Sequence, residues 1–468
     1  MPTSEWPPSK LRMSNSGLGS PCSNRKKNAS PSLPALILDF TEQQVPRGQQ
    51  FPIGLVIGFV TLVIRCAASL RGAAKVLELF GPAIGHGDLA PHWLTGRSWL
   101  LRIGLAALMR AKPISDDWVW MIDHSIQIGQ SKVLVVLGIQ LRNLPEGRAL
   151  CHKDMELIAL EPMVNSTKES VGTCLKETVG RTGVPRAILD DHGADLHGGV
   201  EIFRESHPET AELYDVKHKA ACLLKARLER DERWKSYASQ AAQTKCAIQQ
   251  TELAPLVPQS QRTKARFMNL SDLVEWGQAG LRVVDDPSRL ERARIPAERI
   301  QAKLGWLTEF REVLAEWAGF HTVIKLTLDF VRSHGLYVGM EPDVAAAVPA
   351  PGGRADELRE ELIRFVTVES SKARIGERLP GTTEVLESCF GKLKVIEDNQ
   401  SKSGFTGLVL SLGAMVSNWD VTTIREALER VGVREVLGWC QRKLGISVQS
   451  QRMKALGKPG LTGATETG

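Results

Sequence analysis

Two neighbouring aspartates close an apolar stretch near the middle of the chain. The segment PRAILDDHG, residues 185–193, passes from strand-forming residues into Asp190, Asp191, a histidine and Gly193. A strand ending there would bring carboxylate oxygens, the ligands that Mg²⁺ prefers, to a sheet edge where Gly193 lets the backbone turn away. Asp and Gly also end ordinary strands, so the segment alone leaves a structural interpretation open. Because strand residues alternate between faces, Asp190 is expected to point away from the face that carries Asp191.

Further acids stand at two other places from which they could reach the same edge. Asp123 ends the apolar run WVWMID. Far downstream, Glu384 and Glu387 lie three residues apart in TTEVLESCFGKLK, and Lys394 follows Glu387 by seven residues. These spacings place the three side chains on one face of a predicted helix.

The residues around these acids predict an alternation of strands and one helix. The predicted order is β-β-β-α-β, with elements at 118–123, 133–141, 156–164, 168–182 and 186–191. Residues 124–132 are predicted to form a turn within an antiparallel meander. Asp123 and Asp191 would then end the first and the fourth strands.

This ordered set resembles the ribonuclease-H-like core of the DDE transposases and retroviral integrases. The sequence DDHG is similar to the Asp-Asn-Gly signature of that superfamily, with Asp191 as the acid and His192 in the Asn position. YDVKHKAACLLKARL, residues 214–228, looks like the fifth strand and following helix of bacterial insertion-sequence transposases. Glu387 and Lys394 match the Glu-x6-Lys spacing of that family. The family's preceding Tyr and Arg are replaced by Pro380 and Thr383, which leaves Glu384 as an alternative third acid.

The resemblance, which covers about residues 114–228 and 380–420, implies an activity and its cofactors. The implied enzyme binds the ends of an insertion element as a homodimer, cleaves them, and transfers the 3′-hydroxyls into target DNA. Two Mg²⁺ or Mn²⁺ ions would be held by Asp123, Asp191 and Glu387, while Lys392 and Lys394 would contact DNA. A nuclease that only hydrolyses and an inactive transposase-derived DNA-binding protein remain alternatives.

Other chemistries find less support in the sequence. HGADLHGG offers His192, Asp195 and His197 as a possible transition-metal cluster. The chain contains neither a Walker-type phosphate loop nor a G-x-S-x-G elbow, and no nucleotide cofactor is expected.

The basic excess lies in the first quarter of the chain, where a polyanion contact is expected. Residues 1–50 carry +3 and residues 51–112 carry +5, leaving −2 of the total +6 for residues 113–468. Helices are predicted over 70–80, capped by Ser69 and ended by Gly81, and from about Pro91 to Arg110. They indicate a helix-turn-helix or, alternatively, a helical bundle that packs on the next domain. The candidate DNA contacts in the second helix are His92, Thr95, Arg97 and Arg102.

The long gap between the second and third acids predicts an inserted domain. Asp191 and Glu387 lie 196 positions apart, far more than a loop spans. The intervening residues read as helical, and their tryptophans are expected to pack in a core, with base stacking as the alternative. These tryptophans are Trp234, Trp276, Trp306 and Trp317.

We therefore predict an α/β ribonuclease-H-like catalytic core, a mixed five-stranded sheet with flanking helices, plus an N-terminal helix-turn-helix-like domain and a mostly helical insertion. The predicted boundaries are 1–50 for a disordered basic tail, 51–113 for the DNA-binding domain, 114–229 for the first part of the core, 230–375 for the insertion, 376–455 for the rest of the core and 456–468 for a flexible tail.

The cysteines and the apolar segments indicate the compartment. The eight cysteines are dispersed without a CxxC pair, which is typical of reduced thiols. The most apolar window, residues 53–64, is shorter than the roughly 20 residues of a membrane-spanning helix. A cytoplasmic, nucleoid-associated bacterial protein is expected.

Overall fold

A mixed, open five-stranded sheet forms the centre of the protein. The computed structural model describes residues 40–128, 131–259, 270–289, 295–399, 406–445 and 456. The strands β1 to β5 are Trp118–Ile128, Ser131–Gln140, Glu156–Val164, Ala187–Asp190 and Ala211–Tyr214. Their spatial order is β3-β2-β1-β4-β5. The first three pair antiparallel, whereas β4 pairs parallel with both β1 and β5. This sheet with its flanking helices is consistent with the predicted ribonuclease-H-like core.

Helices make up most of the remaining described chain. Numbered α1 to α16 in chain order, they are Ile53–Ile64, Leu70–Phe80, Trp93–Met109, Lys168–Thr182, Ala194–Arg204, Val216–Leu228, Glu232–Ile248, Leu270–Asp285, Ala297–Leu304, Arg311–His334, Glu341–Ala347, Arg354–Ser370, Glu384–Asp398, Ser411–Val416, Val421–Arg430 and Val433–Lys443. The bounds predicted for α2, α4 and β3 are confirmed. As predicted, the Ser69 hydroxyl caps α2 by accepting a hydrogen bond from the Gly72 N–H at 3.0 Å.

The first hairpin is longer than predicted. β1 continues to Ile128, and β2 begins at Ser131, so the predicted turn at 124–132 is wrong. The polar residues after Asp123 still pair with the apolar strand β2, with His124 opposite Leu134. Backbone hydrogen bonds therefore extend the strand beyond its apolar run, and Asp123 lies within β1 instead of at its end.

The two faces of the sheet bury different side chains because residues alternate along each strand. One face carries Val119, Met121, Ala187 and Leu189, which join the largest apolar core. The opposite face carries Trp120, Ile122 and Ile188, which pack against side chains of α4 and α5. Asp190 and Asp191 follow this alternation at the end of β4.

The amino-terminal helices share their core with the carboxy-terminal helices. α3 packs against α14, α15 and α16, and α1 packs against α15. At Gly104 in α3 the approach is so close that an added Cβ would lie 1.8 Å from the Leu410 carbonyl oxygen. This close packing is what the helical-bundle interpretation of residues 51–113 predicted.

The segment between α6 and α13 is helical, as predicted, and its tryptophans surround Tyr237. Trp234 and Trp317 are buried and meet edge to face at 5.1 Å. Trp276 and Trp306 also contact the Tyr237 ring, at 6.4 and 5.7 Å. Their indole N–H groups donate to the Leu256 carbonyl and the Thr244 hydroxyl, so these rings form a core and do not present a stacking surface.

Two further sequence-based expectations concern membranes and thiols. Among the residues that the structure describes, no helix combines the length and apolar character needed to cross a bilayer. The seven cysteines in the same part of the chain are free thiols, and Cys22 lies outside it.

Candidate active site

Asp123 and Asp191 lie on the same face of neighbouring parallel strands. Because Met121 pairs with Leu189, two residues further along each strand bring Asp123 level with Asp191. Burial raises the pKa of Asp123 to about 7, and the negative charge of Asp191 adds to the effect. The Asp123 carboxylate accepts one hydrogen bond, from the His124 N–H at 2.6 Å. The structure thus brings these two predicted site residues together at one edge of the sheet.

A tight turn after β4 orients Asp191. The Gly193 N–H donates to Asp191 Oδ1 at 2.8 Å. The left-handed residue of the turn is His192, with φ +58°, and not Gly193, which was expected to turn the chain. The lack of a side chain at Gly193 leaves room for the Asp191 carboxylate, because a Cβ there would lie 3.1 Å from Asp191 Oδ1.

The two candidate third acids at the start of α13 have different partners. Arg332 holds Glu384 through two hydrogen bonds, of 2.5 and 2.7 Å, and Lys217 lies 3.3 Å away. Burial acts to raise the pKa of Glu384, but these cations keep it below its usual value. Glu387 is more exposed and forms an ion pair with Lys217. Of the two acids, Glu387 is the one whose charge also raises the pKa of Asp123.

Asp215 connects the start of α13 to the end of β5. Its carboxylate caps α6 by accepting hydrogen bonds from the N–H groups of Lys217 and His218, at 2.6 and 3.1 Å. Its other oxygen accepts from the Thr383 N–H at 2.8 Å and from the Thr383 hydroxyl. Asp215 is 1% exposed, so this tie is made away from water.

Sequence reasoning missed both Asp215 and Lys217. An aspartate before the helical run VKHKAACLL is a recognisable N-cap pattern, and it could have identified Asp215 as a cap. No local pattern pairs Asp215 with Thr383, which follows 168 residues later. The ion pair of Lys217 with Glu387 joins residues 170 positions apart, and no local sequence pattern predicts it either.

The three carboxylates have the chemistry that a hard divalent cation prefers, but among the described residues they do not form a close group of potential metal ligands of the kind that His192, His197 and Glu212 form. Asp123, Asp191 and Glu387 offer oxygen donors only, the set that Mg²⁺ and Mn²⁺ prefer. Burial is the largest cause of the raised pKa of Asp123, and the negative charges of Asp191 and Glu387 raise it further. Lys217 supplies one cation, at Glu387.

The predicted DNA contacts of α3 are placed in different environments. Arg102 is 6% exposed, and its guanidinium donates to the Val431 carbonyl at 2.6 Å, to Gln49 at 2.8 Å and to the Leu428 carbonyl. It therefore stabilises helix packing, and we do not retain it as a DNA contact. Arg97 and Thr95 are half-buried, and the exposed His92 caps α3 through its Nδ1.

The lysines of α13 also differ in exposure. Lys394 is exposed. Lys392 is half-buried, and burial lowers its pKa. Lys394 therefore remains the better candidate for a phosphate contact.

The opposite face of the sheet carries a second polar cluster. Asp190 is fully buried, its Oδ1 accepts from the His192 N–H at 2.5 Å, and burial raises its pKa to about 8. His192 and His197 meet Glu212 of β5. Asp195, the predicted third member of a histidine cluster, instead pairs with Lys132 at 2.8 Å.

Comparisons with known proteins find similarity among solved structures. No protein-family model matches the chain, and no curated protein matches it. Among solved structures, the chain is similar to a Drosophila P element transposase strand transfer complex, with 10% identity and a TM-score of 0.30 over 86% of this chain and 84% of that chain. A similarity with a TM-score this low does not assign a function to the chain. The function is therefore inferred from the chain's own strand order and side chains.

Proposed function

We propose that the chain is a DDE-type DNA transposase. The observation that carries the proposal is that Asp123 of β1 lies level with Asp191 after β4, with Glu387 of α13 as the proposed third acid. Two of these acids lie on adjacent strands of a sheet ordered β3-β2-β1-β4-β5, and the third lies on a helix that follows a long helical insertion. Three carboxylates from distant segments are what metal-dependent phosphoryl transfer requires of a protein.

In the proposed site, Asp123, Asp191 and Glu387 hold two Mg²⁺ or Mn²⁺ ions. When bound, such ions activate the attacking oxygen and stabilise the leaving oxygen of a phosphodiester. Asp123 must release its carboxyl proton for this role, because its pKa of about 7 keeps it partly protonated at neutral pH. Lys217, which binds Glu387, then becomes free to contact a phosphate.

The substrate is proposed to be duplex DNA at the two ends of a mobile element. A water would be the first nucleophile and would release a 3′-hydroxyl, which would then attack target DNA. Two ends require two active sites, so we propose a homodimer on DNA. Assignment to a bacterial insertion sequence rests on the Glu-x6-Lys spacing of Glu387 and Lys394 and stays a prediction.

A cleavage and joining assay tests the proposal. The full-length protein is incubated with DNA that flanks its own coding sequence, in Mg²⁺ or Mn²⁺, and 3′-end cleavage and strand joining are measured beside binding. The proposal expects cleavage and joining by the wild type, with both lost in Asp123→Asn and Asp191→Asn while binding persists. Equal activity in wild type and variants would refute it.

The alternatives give their own results in the same assay. Cleavage by the wild type without joining would identify a nuclease that only hydrolyses. Binding without cleavage by any form, wild type included, would identify an inactive DNA-binding protein.

A further inference from the structure

Two histidines and a glutamate meet on the sheet face opposite to Asp123 and Asp191. Glu212 pairs with Ile188 across the parallel ladder, and Ile188 belongs to the core beneath α4 and α5. One ligand atom each from His192, His197 and Glu212 lies within 4.8 Å of the other two. The three residues come from the turn after β4, the first turn of α5, and β5, so rigid elements position them.

The Glu212 carboxylate is oriented toward the two imidazoles. Its Oε1 is hydrogen-bonded to His197 Nδ1 and lies 3.6 Å from His192 Nε2. Its other oxygen, Oε2, accepts from Arg204 at 3.3 Å. An outer contact of this kind fixes a carboxylate and leaves its second oxygen for a ligand.

The His192 side chain is held in place without a hydrogen bond to its Nε2. Its ring stacks on Tyr214, with centroids 3.9 Å apart, and on His197, at 4.3 Å. The Nε2 atom is buried and has no hydrogen-bond partner in the structure. A buried nitrogen without a hydrogen bond and a positive φ in a residue other than glycine both cost free energy. A ligand bound at Nε2 would account for this arrangement.

We propose that His192, His197 and Glu212 bind one transition-metal ion of the Zn²⁺ class, with water as the fourth ligand. Two imidazoles and one carboxylate are a donor set that Zn²⁺ accepts, whereas Mg²⁺ prefers oxygen donors. The site is separate from the three carboxylates on the other face. The proposal does not depend on the transposase function.

Binding requires one side-chain movement. A metal ion lies in the plane of each imidazole that ligates it, and the two rings are inclined by only 21°. One ring must therefore turn. His197 is the ring with freedom to do so, because its side chain is 36% exposed, while His192 stays on Tyr214.

Cobalt absorption gives a direct test on the full-length protein. The chelator-treated protein is titrated with Co²⁺, whose visible absorption is intense in a tetrahedral site, and then with Zn²⁺ or Mg²⁺. We expect one equivalent of tetrahedral Co²⁺ per chain, displaced by Zn²⁺ and not by excess Mg²⁺. His197→Asn and Glu212→Gln should weaken binding at least about 10-fold.

Matched variants separate this site from general metal binding. His192→Asn should also weaken Co²⁺ binding and keep the fold, since Asn tolerates a positive φ. His207→Asn, which changes a histidine outside the cluster, should bind Co²⁺ as the wild type does. Circular dichroism of the metal-free variants checks the fold. The proposal is overturned if the wild type shows no tetrahedral Co²⁺, if the three cluster variants bind it unchanged, or if His207→Asn weakens binding as strongly as they do.

Discussion

The two faces of the sheet at the end of β4 carry polar groups that are assembled in different ways. On one face, Asp123, Asp191 and Glu387 come from three segments that are far apart in sequence. On the other face, His192, His197 and Glu212 come from a single stretch around α5. The first group offers oxygen donors only, and the second offers mainly nitrogen.

The difference shows how one residue along a strand changes the chemistry that is available. Asp190 and Asp191 are adjacent, but Asp190 faces the histidine side, where burial holds its pKa near 8. Asp191 faces Asp123 and raises the pKa of that carboxyl. Strand alternation thus separates a neutral buried acid from one that interacts with the carboxylate group.

The separation of the two faces is tested most directly by neutralising Asp191 and Asp190 in turn. Asp191→Asn should lower DNA cleavage by about 10³-fold, because a loss of several kcal/mol of transition-state stabilisation is expected when a metal-binding carboxylate is removed. Asp190→Asn replaces a largely protonated acid by a similar neutral group and should change cleavage by less than about 3-fold. Single-turnover cleavage rates measure both. Equal losses in the two variants would contradict the separation of the faces.

The two glutamates of α13 should differ in the same assay. Glu387→Gln is expected to lower cleavage about 10²-fold, because it removes one of the three carboxylates proposed to hold the metal ions. Glu384→Gln should leave cleavage nearly unchanged and lower the free energy of unfolding by about 1–3 kcal/mol, because it weakens the contact with Arg332. Cleavage rates and urea denaturation measure the two effects. The reverse pattern would make Glu384 the third acid.

Asp215 joins the end of β5 to the start of α13, across the insertion. Asp215→Ala should lower the free energy of unfolding by about 3 kcal/mol, because it leaves the N–H groups of Lys217 and Thr383 unpaired in a buried place. Asp420→Ala removes an exposed cap on α15 and should cost only about 1 kcal/mol. Urea denaturation compares the two. Similar losses would show that the contact with Thr383 adds nothing to an ordinary cap.

The smallest predicted effect concerns pH and the second face. The pKa of Asp190 is raised to about 8 in the folded protein, so the folded state binds more protons than the unfolded state between pH 4 and 8. The wild type should therefore lose stability as pH rises through this window, and Asp190→Asn should remove that loss. Relative to the wild type, we expect the free energy of unfolding of Asp190→Asn to increase by roughly 1–3 kcal/mol between pH 5 and pH 8. A difference independent of pH would mean that Asp190 is ionised in the fold.

The sequence alone determined much of the sheet and the acids on it. The bounds of β3, α4 and α2 follow from local periodicity and caps, which involve residues close in sequence. The alternation of Asp190 and Asp191 follows from strand geometry alone. The continuation of β1 past Asp123 could not be predicted from the local sequence, because it depends on pairing with β2.

Tertiary structure decided which charged groups meet. Glu384 and Glu387 both remain candidate third acids from the sequence, but Arg332, from a different helix, binds Glu384. Arg102 is a plausible DNA contact by position, yet the carboxy-terminal helices bury it. Glu212 joins two histidines because β5 lies beside β4. Local backbone preferences act over a few residues, whereas the environment of a charge is set by whatever elements pack around it, and that packing is a property of the whole chain.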